Sequence, residues 1–200
     1  MTSSLSAPYP IELSFDPPEK VARWRALFSG VVLIPHVLVM YVLGLVSSVC
    51  VLLSWFAIVF TGKQPAGLAQ MPRMYVRYAA RVQLYGAFLS ADYPPFTFDG
   101  ATGDPGDVTG VRVDFREQLT ERNRVTVFFR YFMIIPHAIV LAVLALGALV
   151  CFVIAFFAVL FTGRWPEGLR AYVVKVMRWA LRVQGYFLLI TDEYPPFELS

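Results

Sequence analysis

The chain has 200 residues, of which 58% are hydrophobic and only 16% charged, with a net charge of +3 and a mean hydropathy of +0.61. An ordinary soluble domain is about 25% charged, so composition argues against a soluble globular protein, and so small a net charge gives no reason to expect a nucleic-acid partner. The two cysteines, Cys50 and Cys151, both fall within apolar runs, which excludes a secreted disulfide framework.

The N-terminus, 1–9, reads as disordered, and Met1 to Asp16 has no basic stretch leading into an apolar core, so no cleavable signal peptide is expected. Ile11–Phe15 alternates apolar and polar residues and predicts a short strand, stopped by Asp16-Pro17-Pro18. Ala26 to Gly62 follows without a formal charge if His36 is neutral, far beyond the ~18 residues that suffice to enter a bilayer. A single helix over those 37 residues would reach ~55 Å, against a hydrocarbon core of ~30 Å. The favoured expectation is therefore a hairpin turning near Gly44, with Gly147 as its counterpart in the second run. That arrangement gathers all 17 Lys and Arg on one side. The alternative is one long kinked helix with Tyr75–Leu89 as the returning span, which buries Arg77 and Arg81. A Pro/Gly loop at 62–67 leads into a basic amphipathic helix in which Arg77, Arg81 and Tyr85 share a face, the pattern of a helix lying at the headgroups. That helix should end near Asp92, before Tyr93-Pro94-Pro95-Phe96, and another short strand is expected at 96–98. Residues 99–110 read as a linker.

The whole pattern then repeats. Shifted by 101 residues, Arg23–Phe96 lies on Arg124–Phe197 without a gap and with 29 of 74 pairs identical. Val111–Phe115 matches the first strand, 131–163 the apolar run, Lys175, Arg178, Arg182 and Tyr186 the basic face ending near Asp192, and 197–199 the last strand. The expected domains are 10–98 and 111–200. The expected fold is an all-α membrane protein, a tandem-repeat bundle of about four transmembrane helices and two amphipathic interfacial helices. Short β-strands should lie on its cytoplasmic side.

Taken together, Ile-Pro-His at 34–36 and 135–137, Phe-Thr-Gly at 60–62 and 161–163, the Arg-x-x-x-Arg-Val runs at 77–82 and 178–183, and Tyr-Pro-Pro-Phe at 93–96 and 194–197 resemble a bacterial membrane family catalogued as domain of unknown function 4389. The resemblance implies a multi-pass inner-membrane protein and brings no reaction, cofactor or catalytic residue with it.

Candidate sites are few. Arg77, Arg81, Lys175, Arg178 and Arg182 form the strongest signal, a lipid-phosphate or other anionic-ligand site between the repeats, since guanidinium grips phosphate in a forked geometry. His36 and His137 occupy matching positions beside prolines. They form an intramembrane polar pair able to relay a proton, or else simply bond carbonyls freed by the kinks. Two histidines without a nearby carboxylate or thiol motif make a poor metal site, so no metal and no cofactor is expected. Nor is there a Ser/His/Asp set, a zinc spacing or a dinucleotide fingerprint. The expected function is non-enzymatic: organising anionic lipid, or acting as a membrane subunit for a protein partner or a homo-oligomer. A small transporter or channel using the inter-repeat cleft is the alternative.

Overall fold

The computed structural model describes residues 9–199. The first repeat comprises β1 (Ile11–Ser14), α1 (Trp24–Val32), α2 (Ile34–Thr61) and α3 (Ala66–Gly86). The second comprises β2 (Arg112–Phe115), α4 (Arg124–Met133), α5 (Ile135–Thr162) and α6 (Glu167–Phe187). The two strands that open the repeats form as expected. Residues 96–98 and 197–199 are not strands, because Phe96 and Phe197 turn inward onto the histidines instead. The disorder expected for the N-terminus concerns residues 1–8, which lie outside the described residues. Tyr9 is fixed by its hydroxyl, which donates to the Glu193 carbonyl at 3.0 Å.

The hairpin is overturned. α2 and α5 are each one continuous helix of 28 residues, ~42 Å long. Gly44 and Gly147 sit in mid-helix. Their missing side chains make room for tyrosines from the returning helices: a Cβ at Gly44 would lie 3.3 Å from the Tyr75 ring, and one at Gly147 only 2.7 Å from the Tyr172 hydroxyl. Tyr172 donates that hydroxyl to the Leu144 carbonyl at 3.0 Å. The prolines stand at the helix starts, Pro35 in α2 and Pro136 in α5, where a missing N–H is tolerated, and Leu33 and Ile134 mark the joints with α1 and α4. Among the described residues, the expected four spans reduce to two stretches long and apolar enough to cross a membrane, Ile34–Thr61 and Arg124–Thr162. Only 17% and 6% of their most apolar windows are buried, whereas the core helix of a soluble fold is mostly buried.

Both long helices end on a glycine in the left-handed region, Gly62 at φ 73° and Gly163 at φ 72°, the conformation a C-terminal stop requires. α3 and α6 then run back alongside them. The expectation that these were interfacial helices with basic faces on the headgroups fails for α3, whose arginines point inward. α3 is buried on nearly every side along its second half.

The repeats are related by a pseudo-two-fold axis. β1 and β2 pair antiparallel in the register Ile11↔Phe115, Glu12↔Asp114, Leu13↔Val113, Ser14↔Arg112, which maps onto itself when the repeats are exchanged. The Val21 N–H donates to the Gly163 carbonyl at 2.8 Å, and its counterpart, the Arg122 N–H, to the Gly62 carbonyl at 3.1 Å. α3 starts just after Gly62 and ends beside Trp165, whose indole donates to the Ala87 carbonyl at 3.0 Å. α6 starts after Gly163 and ends beside Arg122, which donates to the Leu189 carbonyl at 3.0 Å. The two returning helices are therefore antiparallel. Since Leu33 packs on Gly86, α2 lies antiparallel to α3 along its length, and α2 and α5 run in opposite directions. The axis crosses the long helices instead of running along them. The seam between repeats is filled by Val76, Ala80, Leu181, Leu188 and Leu189 against Val51, Ile58 and Val127.

Candidate functional site

Arg73, Arg77 and Arg81 stand one turn apart on α3 and face the segment after it. Residues 99–107, expected as a linker, form a carboxylate cage over them. Asp104 is fully buried and takes Arg77 Nε at 3.1 Å on one oxygen and Arg81 Nη2 at 2.7 Å on the other. Asp107 meets Arg81 Nε at 2.9 Å, Asp99 meets Arg77 Nη1 at 3.3 Å, and Glu117 meets Arg73 at 3.5 Å. Arg77 Nη2 also donates to the carbonyls of Ala101 and Val113, each at 3.0 Å. Burial pulls the Arg77 guanidinium down, and Asp104 and Asp99 counter it. The cage is anchored in turn, since Asp104 accepts the Val113 and Gly106 N–H groups at 2.9 and 2.8 Å. Arg77 and Arg81 are spent holding the ribbon to α3, which corrects their assignment to an anionic-ligand site.

Among the described residues, the second repeat shows no matching cage. Lys175 is exposed and Arg178 half-buried on α6. Arg182 approaches Glu198 at 3.6 Å and stands over the Tyr9 ring at 5.9 Å. The five cations expected to converge are divided between an internal cage and a partly open helix face.

A second pair of cages went unread in the sequence. Arg25 of α1 lies 3.9 Å above the Tyr85 ring and donates to the carbonyls of Tyr85 and Ser90, both at 2.8 Å. Arg130 of α4 lies 4.3 Å above Tyr186 and donates to the carbonyls of Tyr186 and Thr191 at 2.7 and 2.9 Å. The guanidinium in each case satisfies the carbonyls at the C-terminus of the returning helix. Arg25 matches Thr126 in the alignment and Arg130 matches Ser29, so the same cage is filled from positions one turn apart. Asp192 completes the second cage, pairing with Arg130 and bidentately with Arg122 at 2.6 and 2.8 Å. Burial alone would raise the Asp192 carboxyl, but the bonds from Arg122, the Arg130 charge and the Asn123 N–H outweigh it and hold the group below the usual carboxylate range.

The histidines are each enclosed by their own repeat. His36 stacks on Phe96 at 4.3 Å, meets Tyr93 edge-on at 4.8 Å and is hydrogen-bonded through Nδ1 to the Tyr78 hydroxyl. Burial pushes the Tyr78 phenol up to about 12, so it stays protonated. His137 stacks on Phe197 at 3.9 Å and contacts Tyr194 and Trp179. Tyr-Pro-Pro-Phe is thus the clamp that closes over each histidine. No contact joins His36 to His137 among the described residues, and no three metal-ligating side chains cluster there. Cys50 and Cys151 are free.

One open pocket lies where α1 meets the end of α3, against Lys20, Trp24, Arg25, Asp92 and Tyr93, and another lies against Arg116, Asn123, Asp192 and Glu193.

No curated protein and no solved structure matches the chain. A family model does, over residues 23–97 and again over 124–198, and each match covers one repeat from its first helix through the Tyr-Pro-Pro-Phe clamp. The chain belongs to that family, DUF4389, a domain of unknown function that it carries twice in tandem.

Proposed function

We propose that the protein is a non-enzymatic resident of the bacterial inner membrane that contacts anionic lipid and serves as a scaffold or subunit for a protein partner or a second copy of itself. The observation that carries this is the apolar surface of α2 and α5. Leu38, Tyr41 and Leu45 on one, and Val143, Leu146 and Phe161 on the other, are each more than half exposed. Soluble monomers seldom leave contiguous apolar patches beyond ~600 Å². The charge pattern supports a structural role, because the buried arginines close cages and the apolar inter-repeat seam leaves little for a carrier to use. The exposed cations Arg23, Lys63, Arg124, Arg164 and Lys175 supply the attraction for anionic headgroups.

Extraction and native mass spectrometry test the proposal. The expected outcome is a protein retained in membranes after alkaline carbonate, released by detergent, and carrying phosphatidylglycerol or cardiolipin in preference to phosphatidylcholine. A chain that remains monodisperse in detergent-free buffer refutes it.

A further inference from the structure

The two ends of the molecule have the same sign of charge. Lys63 and Arg124 gather where α2 ends, the Arg124 guanidinium lying against Gly62. Arg164 and Arg23 gather where α5 ends, with Arg23 against Gly163. Between these ends lies the length of α3, 21 residues, or ~31 Å.

The ribbon straddles the pseudo-two-fold axis and so is centred midway between the ends, with Val113 of β2 bonded by Arg77 near the middle of α3. Glu12 and Arg112 on the ribbon are exposed. If α2 and α5 crossed a bilayer, the ribbon would be carried to mid-depth. Arg112 and Glu12 would then meet hydrocarbon, where an ionised side chain is costly. One basic cluster would also stand on each side of the membrane, against the positive-inside bias. Each long helix, at ~42 Å, would overshoot a ~30 Å core.

Turning the molecule by a right angle, so that the pseudo-two-fold axis stands along the membrane normal, removes all three conflicts. The four exposed cations then share one plane, and the ribbon and acidic loop face water. α3 is built for this orientation. Arg73, Arg77 and Arg81 face the ribbon, while Tyr75, Tyr78, Val82 and Tyr85 face α2. At about 100° per residue the two faces lie roughly 120° apart, which sets α2 on the side away from the polar layer.

We propose that α2 and α5 lie antiparallel along a single leaflet, buried among its acyl chains, with Arg23, Lys63, Arg124 and Arg164 gripping anionic headgroups of that same leaflet. This rests on the membrane residence proposed above and names the mode: the protein is embedded from one side and does not span.

The test uses the full chain with Cys50 and Cys151 changed to Ala, in vesicles of phosphatidylethanolamine and phosphatidylglycerol. Nitroxide labels are placed singly at Leu38, Leu45, Leu52 and Phe60, all exposed on α2, and depth is read by power saturation against oxygen and a nickel chelate. In parallel, Lys63→Cys and Arg164→Cys are exposed to an impermeant maleimide in spheroplasts and in inverted membrane vesicles. The expected result is one common depth at all four sites, and both cysteines labelled in the same preparation and protected in the other. A depth profile that deepens toward mid-helix and rises again, with the two cysteines labelled from opposite sides, overturns the proposal and leaves membrane residence standing. A chain that fails to float with the vesicles overturns both.

Discussion

Asp104 is a junction of the polar interior, since Arg77, Arg81 and two backbone N–H groups converge on its two oxygens. Removing one partner of a buried ion pair leaves the other charge uncompensated, at about 3–5 kcal/mol. Asp104→Asn should therefore lower the thermal midpoint of the detergent-solubilised protein sharply, while Glu117→Gln, at a half-exposed carboxylate on Arg73, should shift it little. Comparable midpoints for the two variants would show that the cage does not hold the ribbon to α3. Asp192 gives a pH signature. Its folded pKa is held below the usual carboxylate range, so its contribution is fully present above the ordinary carboxylate pKa and is lost as pH falls through the lower folded value. The native chain should lose stability progressively below about pH 4. Asp192→Asn should be less stable at neutral pH and should lose part of that acid slope, as read from unfolding midpoints across the pH range.

At the scale of elements, the exchange between Arg25 and Arg130 allows a direct trial of the capping role. Arg25→Ala removes a guanidinium that caps the end of α3, and the freed carbonyls should cost about 1–3 kcal/mol in unfolding free energy. Arg25→Thr combined with Ser29→Arg recreates the Thr126–Arg130 arrangement of the second repeat and should recover much of the loss. A double variant no better than the single one would mean that Arg25 acts by packing alone. The same elements explain what could be read from sequence. The duplication, the opening strands and the breaks at Gly62 and Gly163 are legible because each is a local signal, whereas Pro35 and Pro136, expected as kinks within an apolar leg, stand at helix starts. The continuous helix is not legible because glycine has two uses: Gly44 and Gly147 fit a turn by composition, whereas in the fold they admit Tyr75 and Tyr172 from the returning helices. The roles of Arg77 and Arg81 are not legible in the sequence because the carboxylates that neutralise them lie 22 to 27 residues downstream, in a stretch whose composition says only loop. The aromatic clamp that encloses each histidine depends on where the chain goes after α3 and α6, which periodicity does not report.

Across the whole molecule, neither repeat holds its own shape. β1 needs β2 for every ladder bond, Val21 and Arg122 each bond the glycine stop of the opposite repeat, and Trp55 of α2 donates to the Val127 carbonyl of α4 at 3.0 Å. Repeat units that cannot close their own apolar faces are stable only against a neighbour. The break that respects these contacts is at Thr120–Glu121, both exposed, since it leaves the acidic loop and the entire ribbon with the first repeat. Co-expressed fragments 1–120 and 121–200 should co-purify in detergent through a tag on the second. Fragment 121–200 alone should be degraded or aggregate, because α4 loses α2 and Arg122 loses the Gln64 carboxamide that accepts from it. A cut at 98–99 is the informative contrast, because it takes the carboxylates from Arg77 and Arg81 and hands them to the other fragment. If association of the halves were driven by the apolar seam alone, both cuts would reassemble equally. If the caged arginines fix the geometry, the 98–99 halves should reassemble only where the loop finds α3 again, and Asp104→Asn should abolish their co-purification.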